Sequence, residues 1–527
     1  METAIAIAKI AALLFLASKL FRFVKGKRLF ARVASAFRRR PAQAGAVPMV
    51  PPNSPFDPQY PLLWLSDEDP FRLTHAFEGV HIFGGNGSGK TSGPGRALLK
   101  AYMRAGMGGL ILTAKGDEYE TIRGYAQETG RLKSLIRFCP ESPKHRFNFL
   151  AYLQRVGTRG GGRSANIVKT LIAIQDSFER GEDGGAKQEK YWKNVMTQLL
   201  HCAVDLPLLA RPDGKLSVEI IHEIITSAPT SPAQVDDPEW QSTSLCYRLL
   251  DEALNNEALT SRQKSDLKLT GKFWLSEFPN LPHDTRGSAV STVTTVLDVF
   301  LRGDMAELFS TELTIVPEMT LAGAIWCVDL PVKLFGQVGL AAQILVQHIW
   351  AEAIERRDVA ANPRPVFLWA DESHNFVNSH YVGVQTTARS SRLCTVYLSQ
   401  TLPNYYWALG GEQKGKALTE SLMGVMQTKI FCANSDPKTN AWASEIFAKS
   451  WQQKSNSGVS LADKGGRSMN SGQTESLEHN VEPAEFTGLR KGGPQNNFLV
   501  SAIIHGGGRR FRATGKQYLK TTFNQKD

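Results

Sequence analysis

The stretch "HIFGGNGSGKTSGPG", residues 81–95, decides the fold of this 527-residue chain. Four of its residues fill the pattern G-x-x-x-x-G-K-[ST]: Gly84, Gly89, Lys90 and Thr91. Glycines at this spacing let backbone N–H groups turn toward phosphate oxygens, while the lysine reaches the β and γ phosphates and the threonine hydroxyl ligates Mg²⁺. The apolar run Gly79–Phe83 before it is suited to a buried strand, and residues 97–106 predict a helix whose positive end faces the phosphates. We therefore expect a strand–loop–helix unit that binds ATP and Mg²⁺.

The predicted nucleotide-binding residues form one continuous loop. They are Gly84, Gly85, Asn86, Gly87, Ser88, Gly89, Lys90, Thr91 and Ser92. The alternative is a glycine-rich turn without a ligand, and the strand before and helix after the loop favour nucleotide binding.

A second strand that ends in carboxylates is predicted from "RPVFLWADESHNF", residues 364–376. Val366–Ala370 is an apolar run, and Asp371 and Glu372 follow it directly. In P-loop ATPases the aspartate completes the Mg²⁺ shell that the P-loop threonine begins, and the adjacent glutamate orients the attacking water. The alternative is two solvated acids at a strand end, and the apolar run before them favours the catalytic interpretation.

The residues "DESH", Asp371–His374, are similar to the D-E-x-H box of superfamily 2 helicases. About half of the chain separates them from Lys90, which is more than one helicase core domain places between these motifs. We therefore expect His374 to be a local structural residue.

Charge is concentrated at the N-terminus. The whole chain carries a net charge of +11, but residues 1–40 alone hold ten Lys or Arg residues against one acid, Glu2. The remaining body is close to neutral, so its composition does not indicate a nucleic-acid-binding surface. The six cysteines are far apart without a C-x-x-C pair, which argues against a zinc site or a secreted disulfide framework and fits a reducing compartment.

The N-terminal segment predicts a membrane anchor over residues 1–40. Ala4–Phe23 has the length of a spanning helix, and the basic cluster after it should stay on the cytoplasmic side. The alternative is an amphipathic helix on a membrane or partner surface, because Lys9, Lys19 and Arg22 interrupt the apolar run. Residues 41–62 follow as a proline-rich linker, too rich in proline for a helix or an inner strand.

The rest of the chain predicts an α/β fold with an all-helical insertion. Strand-plus-loop patterns recur at residues 108–122, 132–150, 324–331, 393–401 and 427–434, and a long helix is predicted over Gly339–Arg357. Residues 63–152 and 320–527 form the predicted RecA-like P-loop nucleotide-binding domain, and residues 153–319 form the all-α domain. The polar stretch Trp451–Ser476 predicts a flexible insert, and Asn496–Leu519 predicts a strand hairpin that returns to the sheet.

The ordered motifs of residues 79–450 resemble the type IV coupling proteins of bacterial conjugation (the TraG/TraD type), relatives of the FtsK/HerA ring ATPases. The resemblance is carried by "GNGSGKTSG", "AKGDE", "RFNFL", "YW", "WADESHNF", "TARSSR" and "YLSQTLPNYY", in that order. It implies an ATPase that forms homo-hexamers, translocates single- or double-stranded DNA and delivers a relaxase-bound strand (the relaxosome) to type IV secretion channel components. It also implies the cytoplasmic face of the bacterial inner membrane, with the N-terminus in the membrane.

The resemblance also implies roles for individual residues. Lys90, Glu372, Arg389 and Gln400 would be catalytic, while Thr91 and Asp371 would hold Mg²⁺. Gln400 would sense the γ-phosphate, and Arg389 would reach a neighbouring subunit's nucleotide, with Arg392 as the alternative. Two other functions stay open: a HerA/FtsK-like cytoplasmic DNA translocase, and a non-translocating receptor whose docking is gated by ATP.

Overall fold

The computed structural model describes residues 42–43, 54, 56–142, 144–156, 163–178, 186–461 and 467–527. The predicted membrane anchor, residues 1–40, lies outside the described residues, as does most of the predicted linker. The start and end of the linker contact the body. Ala42–Gln43 pairs with the last strand of the main sheet, and Pro61–Trp64 forms a short hairpin with Pro70–Arg72.

The strands of the described chain build one large sheet and two separate two-stranded hairpins. In chain order they are β1 (Ala42–Gln43), β2 (Pro61–Trp64), β3 (Pro70–Arg72), β4 (Val80–Phe83), β5 (Gly108–Leu112), β6 (Leu135–Phe138), β7 (Ile325–Val328), β8 (Val366–Ala370), β9 (Leu393–Ser399), β10 (Thr428–Phe431), β11 (Lys449–Leu461), β12 (Arg467–His479), β13 (Leu499–Gly506) and β14 (Tyr518–Asn524). The main sheet has the order β1-β14-β13-β10-β4-β9-β8-β5-β7-β6.

The sheet is parallel from β10 to β6, and the β13–β14 hairpin adds an antiparallel edge. Strands β4, β5, β7, β8 and β9 are buried along their full length, because helices cover both faces of the sheet. Their sequences accordingly read as continuous apolar runs rather than alternating ones. The predicted α/β class with a P-loop sheet is confirmed, and so is the returning hairpin near the C-terminus.

The sheet order brings the functional loops together. Strands β4, β9, β8 and β5 are neighbours, and their carboxyl ends lie at one edge of the sheet. The P-loop follows β4, the acid pair follows β8, Gln400 follows β9, and Thr113–Lys115 follows β5. Ligands of open α/β sheets bind at this edge.

Helices surround the sheet and fill the interval between β6 and β7. Those of the body are Leu73–Ala76, Arg96–Arg104, Glu118–Glu128, Val332–Glu355, Ser379–Thr387, Leu402–Ala408, Lys416–Val425, Pro437–Ile446 and Pro483–Thr487. Those of the interval are Phe149–Val156, Arg163–Phe178, Ala186–Ala210, Val218–Thr226, Pro232–Val235, Pro238–Thr243, Leu245–Leu254, Ser261–Lys272, His283–Asp298, Gly303–Phe309 and Glu318–Leu321. Several of the latter begin at a serine, threonine or aspartate that caps the first turn, such as Ser217, Ser244 and Thr260. The division of the chain into domains at residues 152 and 320 stays a prediction.

One helix of the described chain, Val332–Glu355, is long and apolar enough to cross a membrane. Most of it is buried in the body of the protein, from Gly339 to Ile354. It begins earlier than the predicted Gly339, and Gly336 interrupts it with a φ of 55°. The helix is therefore apolar because it lies in the core of the protein.

The predicted flexible insert at Trp451–Ser476 is wrong in part. Residues Lys449–Leu461 and Arg467–His479 pair as a long antiparallel hairpin, β11–β12. Backbone hydrogen bonds hold such a ladder regardless of side-chain polarity, and Trp451 and Leu477 at its base are exposed. The sequence of the two strands is mostly polar and has no apolar alternation, so it resembles that of a flexible loop.

Candidate nucleotide site

The P-loop has a backbone that requires glycine at two positions. Gly87 and Gly89 have φ angles of 67° and 82°, which L side chains rarely adopt. A Cβ on Gly89 would also lie 2.5 Å from Cγ2 of Val500 and 2.9 Å from the carbonyl oxygen of Lys491. Within the loop, the hydroxyl of Ser88 is buried and has no hydrogen-bond partner among the described residues. The loop therefore contains one buried hydroxyl without a partner among the described residues, within the motif that is typical of phosphate binding.

The predicted metal ligands lie in contact. Thr91 donates a hydrogen bond from Oγ1 to Oδ2 of Asp371 at 2.9 Å, and the backbone N–H of Glu372 donates to Oδ1 of Asp371 at 2.9 Å. Asp371 is buried. A hydroxyl and a buried carboxylate are hard oxygen donors, which suit Mg²⁺. The residues present therefore fit the ion that the P-loop motif implies.

Glu372 is surrounded by positive and hydrogen-bonding groups. Its Oε1 lies 3.6 Å from Nζ of Lys90 and 3.5 Å from Nζ of Lys115, and it accepts a hydrogen bond from Nε2 of Gln400 at 3.2 Å. Burial raises the pKa of Glu372, but Lys90, the Gln400 hydrogen bond and Lys115 more than offset this, so its pKa lies below the ordinary value. Glu372 is therefore a carboxylate at neutral pH. Its backbone is left-handed, with a φ of 47°, a conformation that is uncommon for residues other than glycine and that occurs at functional sites.

A third carboxyl, Glu118, belongs to the same site and was not predicted from the sequence. It begins the helix that follows β5, and its Oε2 accepts a hydrogen bond from the backbone N–H of Ala114 at 2.9 Å. Burial and the neighbouring Asp371 charge raise the pKa of Glu118 to about 8. Lys115, three residues earlier, pairs with both Asp371 and Glu372. The motif "AKGDE" indicates this loop, but only the pairing of β5 with β8 shows that it meets the acid pair.

Replacing Glu118 with Gln should stabilise the protein in a pH-dependent way. The folded pKa of about 8 lies above the ordinary 4.5, so the fold binds a proton that the unfolded chain has already lost at neutral pH. The wild type therefore loses stability as pH rises from 4.5 through 8, whereas Glu118→Gln mimics the neutral acid throughout. We expect equal Tm values at pH 4.5 and a higher Tm for the variant at pH 9. A difference that does not change with pH would contradict this.

A cavity of about 640 Å³ lies directly beside the P-loop. It is lined by Gly87 and Ser92 on one side and by Arg490, Phe498 and Gln525 on the other. Gln525 holds the two sides together, because its Nε2 donates to Oγ of Ser92 at 2.5 Å and its Oε1 accepts from the N–H of Gly493 at 2.7 Å. The volume falls within the range of small-molecule sites. The sequence did not indicate this wall, because it comes from a C-terminal loop about 400 residues away from the P-loop.

The two candidate arginines have different surroundings. The guanidinium of Arg392 donates hydrogen bonds to the carbonyl oxygens of Phe56 at 2.9 Å and Pro363 at 2.8 Å. Arg389 is 71% exposed, and its ion pair within the described chain is a loose one to Glu78, at 3.7 Å. Arg392 thus supports its own chain, whereas Arg389 is available to a second molecule. Within the described part of the chain neither arginine forms an ion pair or hydrogen bond with the acid pair, unlike Lys90, Thr91 and Gln400.

His374 contacts the site from the side. Its Nδ1 lies 3.2 Å from Oγ of Ser399 and 3.9 Å from Oε2 of Glu372. These contacts agree with the expected local role, since they link the ends of β8 and β9.

Comparison with solved structures gives the fold a family context. The bacterial conjugative coupling protein TrwBdeltaN70, in its trigonal form in complex with sulphate, matches with a TM-score of 0.55 at 14% identity. The plasmid coupling protein TrwB matches with a TM-score of 0.53 at 15% identity in complex with the ATP analogue ADPNP, and with 0.52 at 14% in complex with ADP and Mg²⁺. Each of these three alignments covers 87% of this chain and 88% of the other.

No protein-family model and no curated protein sequence matches the chain. At 14–15% identity the structural likeness establishes the fold. This chain therefore has the fold of the conjugative coupling proteins, and the resemblance predicted from its ordered motifs is confirmed at the level of the fold.

Proposed function

We propose that the protein is an ATPase of the coupling-protein type that moves DNA toward a type IV secretion channel. The observation that carries the ATPase part is the contact network of Lys90, Thr91, Asp371, Glu372 and Gln400 at one edge of the sheet. The coupling part is supported by the fold and by the order of the motifs. Relaxase-bound DNA as cargo, a homo-hexameric ring and the channel as partner belong to this proposal.

The site residues divide the work of hydrolysis. The P-loop amides and Lys90 bind the β and γ phosphates, and Lys90 lies 3.6 Å from Glu372, so the γ-phosphate it binds is next to that carboxylate. Glu372 is ionised at neutral pH and orients the attacking water. Gln400 holds Glu372 by a hydrogen bond, which connects the end of β9 to the reacting group.

Thr91 and Asp371 would hold a Mg²⁺ ion, which would supply positive charge against the negative charge that develops during phosphoryl transfer. Besides Lys90, the side chain of Lys115 places a positive charge next to both Asp371 and Glu372. Burial lowers the pKa of Lys115, but Asp371, Glu372 and Glu118 outweigh that effect and raise it, so the lysine stays protonated. The site thus keeps a balanced set of charges around the γ-phosphate position.

The test of this proposal is ATP hydrolysis by the purified full-length chain with and without single- and double-stranded DNA. A DNA translocase is expected to hydrolyse ATP faster when DNA is present. Hydrolysis that DNA leaves unchanged would favour the ATP-gated receptor instead. Stimulation by DNA with no association of the chain with membranes would favour a HerA/FtsK-like cytoplasmic translocase.

Deleting residues 1–40 should release the protein from membranes and leave the ATPase body folded. The motivation is the apolar run followed by the basic cluster, which the proline-rich linker separates from the body. The measurement is the distribution of full-length and shortened chains between membrane and soluble fractions, with the thermal unfolding of the shortened chain as a control. Full-length protein in the soluble fraction would contradict the anchor.

A further inference from the structure

A second cluster of metal-ligating side chains lies away from the P-loop. His348 and Glu352 are one helical turn apart on Val332–Glu355, and His380 lies in the first turn of Ser379–Thr387. One donor atom from each of the three residues lies within 4.8 Å of the other two. His348 and Glu352 are buried, and the imidazole rings of His348 and His380 have centroids 4.4 Å apart.

The polar atoms of this cluster are under-paired. Both ring nitrogens of His348, Nε2 of His380 and Oε2 of Glu352 have no hydrogen-bond partner among the described residues. A buried polar atom without a partner is destabilising, and several in one place indicate a ligand that pairs with them. The spacing of the cysteines gave no indication of this site, because its donors are histidine and glutamate.

From this geometry we propose that His348, Glu352 and His380 bind one divalent cation of intermediate softness, with Zn²⁺ as the reference ion. Two imidazoles and one carboxylate are a common three-residue set for Zn²⁺, whereas Mg²⁺ prefers an all-oxygen shell. The two imidazole ligands give this site a preference for Zn²⁺, whereas the hydroxyl of Thr91 and the carboxylate of Asp371 are oxygen ligands that suit Mg²⁺.

The surroundings of the two histidines favour their neutral form. Burial is the main cause that keeps the pKa of His348 well below its usual range, and the nearby His380, Lys169 and Arg356 add to it. Burial and then Lys169 also lower the pKa of His380, although Glu352 and Glu355 act in the opposite direction. Neutral imidazole is the metal-binding form.

Two basic side chains already lie beside Glu352 and would compete with a cation for its carboxylate. Nζ of Lys169 lies 2.7 Å from Oε1 of Glu352, and Nη1 of Arg356 lies 3.5 Å from Oε2. The Lys169 side chain is half exposed, so it can turn into water when the cation binds.

The position of the cluster, between two helices, gives a bound cation a structural role. A cation here joins the core helix Val332–Glu355 to Ser379–Thr387, the helix that leads directly to Arg389. Lys169 belongs to Arg163–Phe178, a helix of the interval between β6 and β7. Metal binding would therefore hold the first turn of the helix Ser379–Thr387, which precedes Arg389, against the core helix.

The test is metal binding by the full-length chain, stripped with a chelator and titrated with Zn²⁺ and with Co²⁺ in the absence of nucleotide. We expect one equivalent per chain and visible Co²⁺ absorption. His380→Asn and Glu352→Gln should each weaken Zn²⁺ binding more than tenfold, and Lys169→Met should strengthen it. His283→Asn, which removes an exposed histidine of the helical interval, and Thr91→Ala, at the P-loop, should bind Zn²⁺ as the wild type does.

The proposal would be overturned by substoichiometric Zn²⁺ in the wild type, or by unchanged affinity in a folded His380→Asn or Glu352→Gln protein. If neither of these variants folds, Lys169→Met decides, because the altered lysine is half exposed and its loss removes the competing charge. Unchanged or weaker Zn²⁺ binding by that variant would equally overturn the proposal.

Discussion

Glu372→Gln should still bind ATP but lose about 10²–10⁴-fold in kcat. The amide keeps the size of the side chain and an oxygen that accepts the Gln400 hydrogen bond, so the loop and its phosphate-binding groups stay in place. What the variant loses is the ionised carboxylate whose pKa Lys90, Gln400 and Lys115 hold down despite burial. The measurement is steady-state ATP hydrolysis together with the Kd of a fluorescent ATP analogue.

Two further variants serve as a comparison and a control for Glu372→Gln. Lys90→Ala should abolish hydrolysis and also weaken nucleotide binding, because the proposed role of Lys90 is direct contact with the phosphates. Glu120→Gln is the matched control, since it makes the same chemical change at an exposed glutamate of the helix after β5 and should leave the rate unchanged. Hydrolysis by Glu372→Gln at the wild-type rate would remove Glu372 from the catalytic site.

Arg389→Ala should bind nucleotide nearly as the wild type does and lose turnover by about 10³-fold, the scale of a single arginine that stabilises phosphoryl charge in comparable sites. The side chain is exposed and its ion pair with Glu78 is loose, so its removal should change the free energy of unfolding by less than about 0.5 kcal/mol. Arg123→Ala, at another half-exposed arginine with a surface ion pair, is the matched control. A large loss of Tm would mean that Arg389 supports its own chain.

Mixing two inactive variants tests whether Arg389 acts across a subunit boundary. In mixed rings of Arg389→Ala and Lys90→Ala, a site with an intact P-loop lies beside a neighbour with an intact Arg389. Some activity should therefore return, although each parent is inactive. Mixtures shown to co-assemble that stay inactive would mean that Arg389 works within its own chain or has no catalytic role.

Motifs that are local in sequence predicted the centre of the site. The P-loop and the pair Asp371–Glu372 each combine an apolar strand with reactive residues directly after it, so both the element and its chemistry can be recognised without the fold. Parallel strands then place these loops at the same edge, and the Thr91–Asp371 hydrogen bond shows the result.

Contacts that depend on strand order and on distant segments could not be predicted in the same way. Glu118 reaches the acid pair because β5 pairs with β8, and the wall of the cavity forms because β13–β14 returns the C-terminal residues to the P-loop. The histidine cluster forms only when the two helices that carry it pack together, and no periodic pattern in the sequence predicts that packing. The hairpin β11–β12 was missed because its sequence is polar and lacks the apolar alternation by which a strand is recognised.

ATP-driven movement of DNA is the core of the proposed function. Its most direct measurement is displacement of an obstacle by the full-length protein: a triplex-forming oligonucleotide from duplex DNA, and streptavidin from a biotinylated single strand. We expect ATP-dependent displacement from at least one substrate by the wild type, and none by Glu372→Gln, which should still bind ATP. DNA-stimulated hydrolysis without displacement from either substrate would contradict DNA translocation, because the ATPase site would then serve a different task.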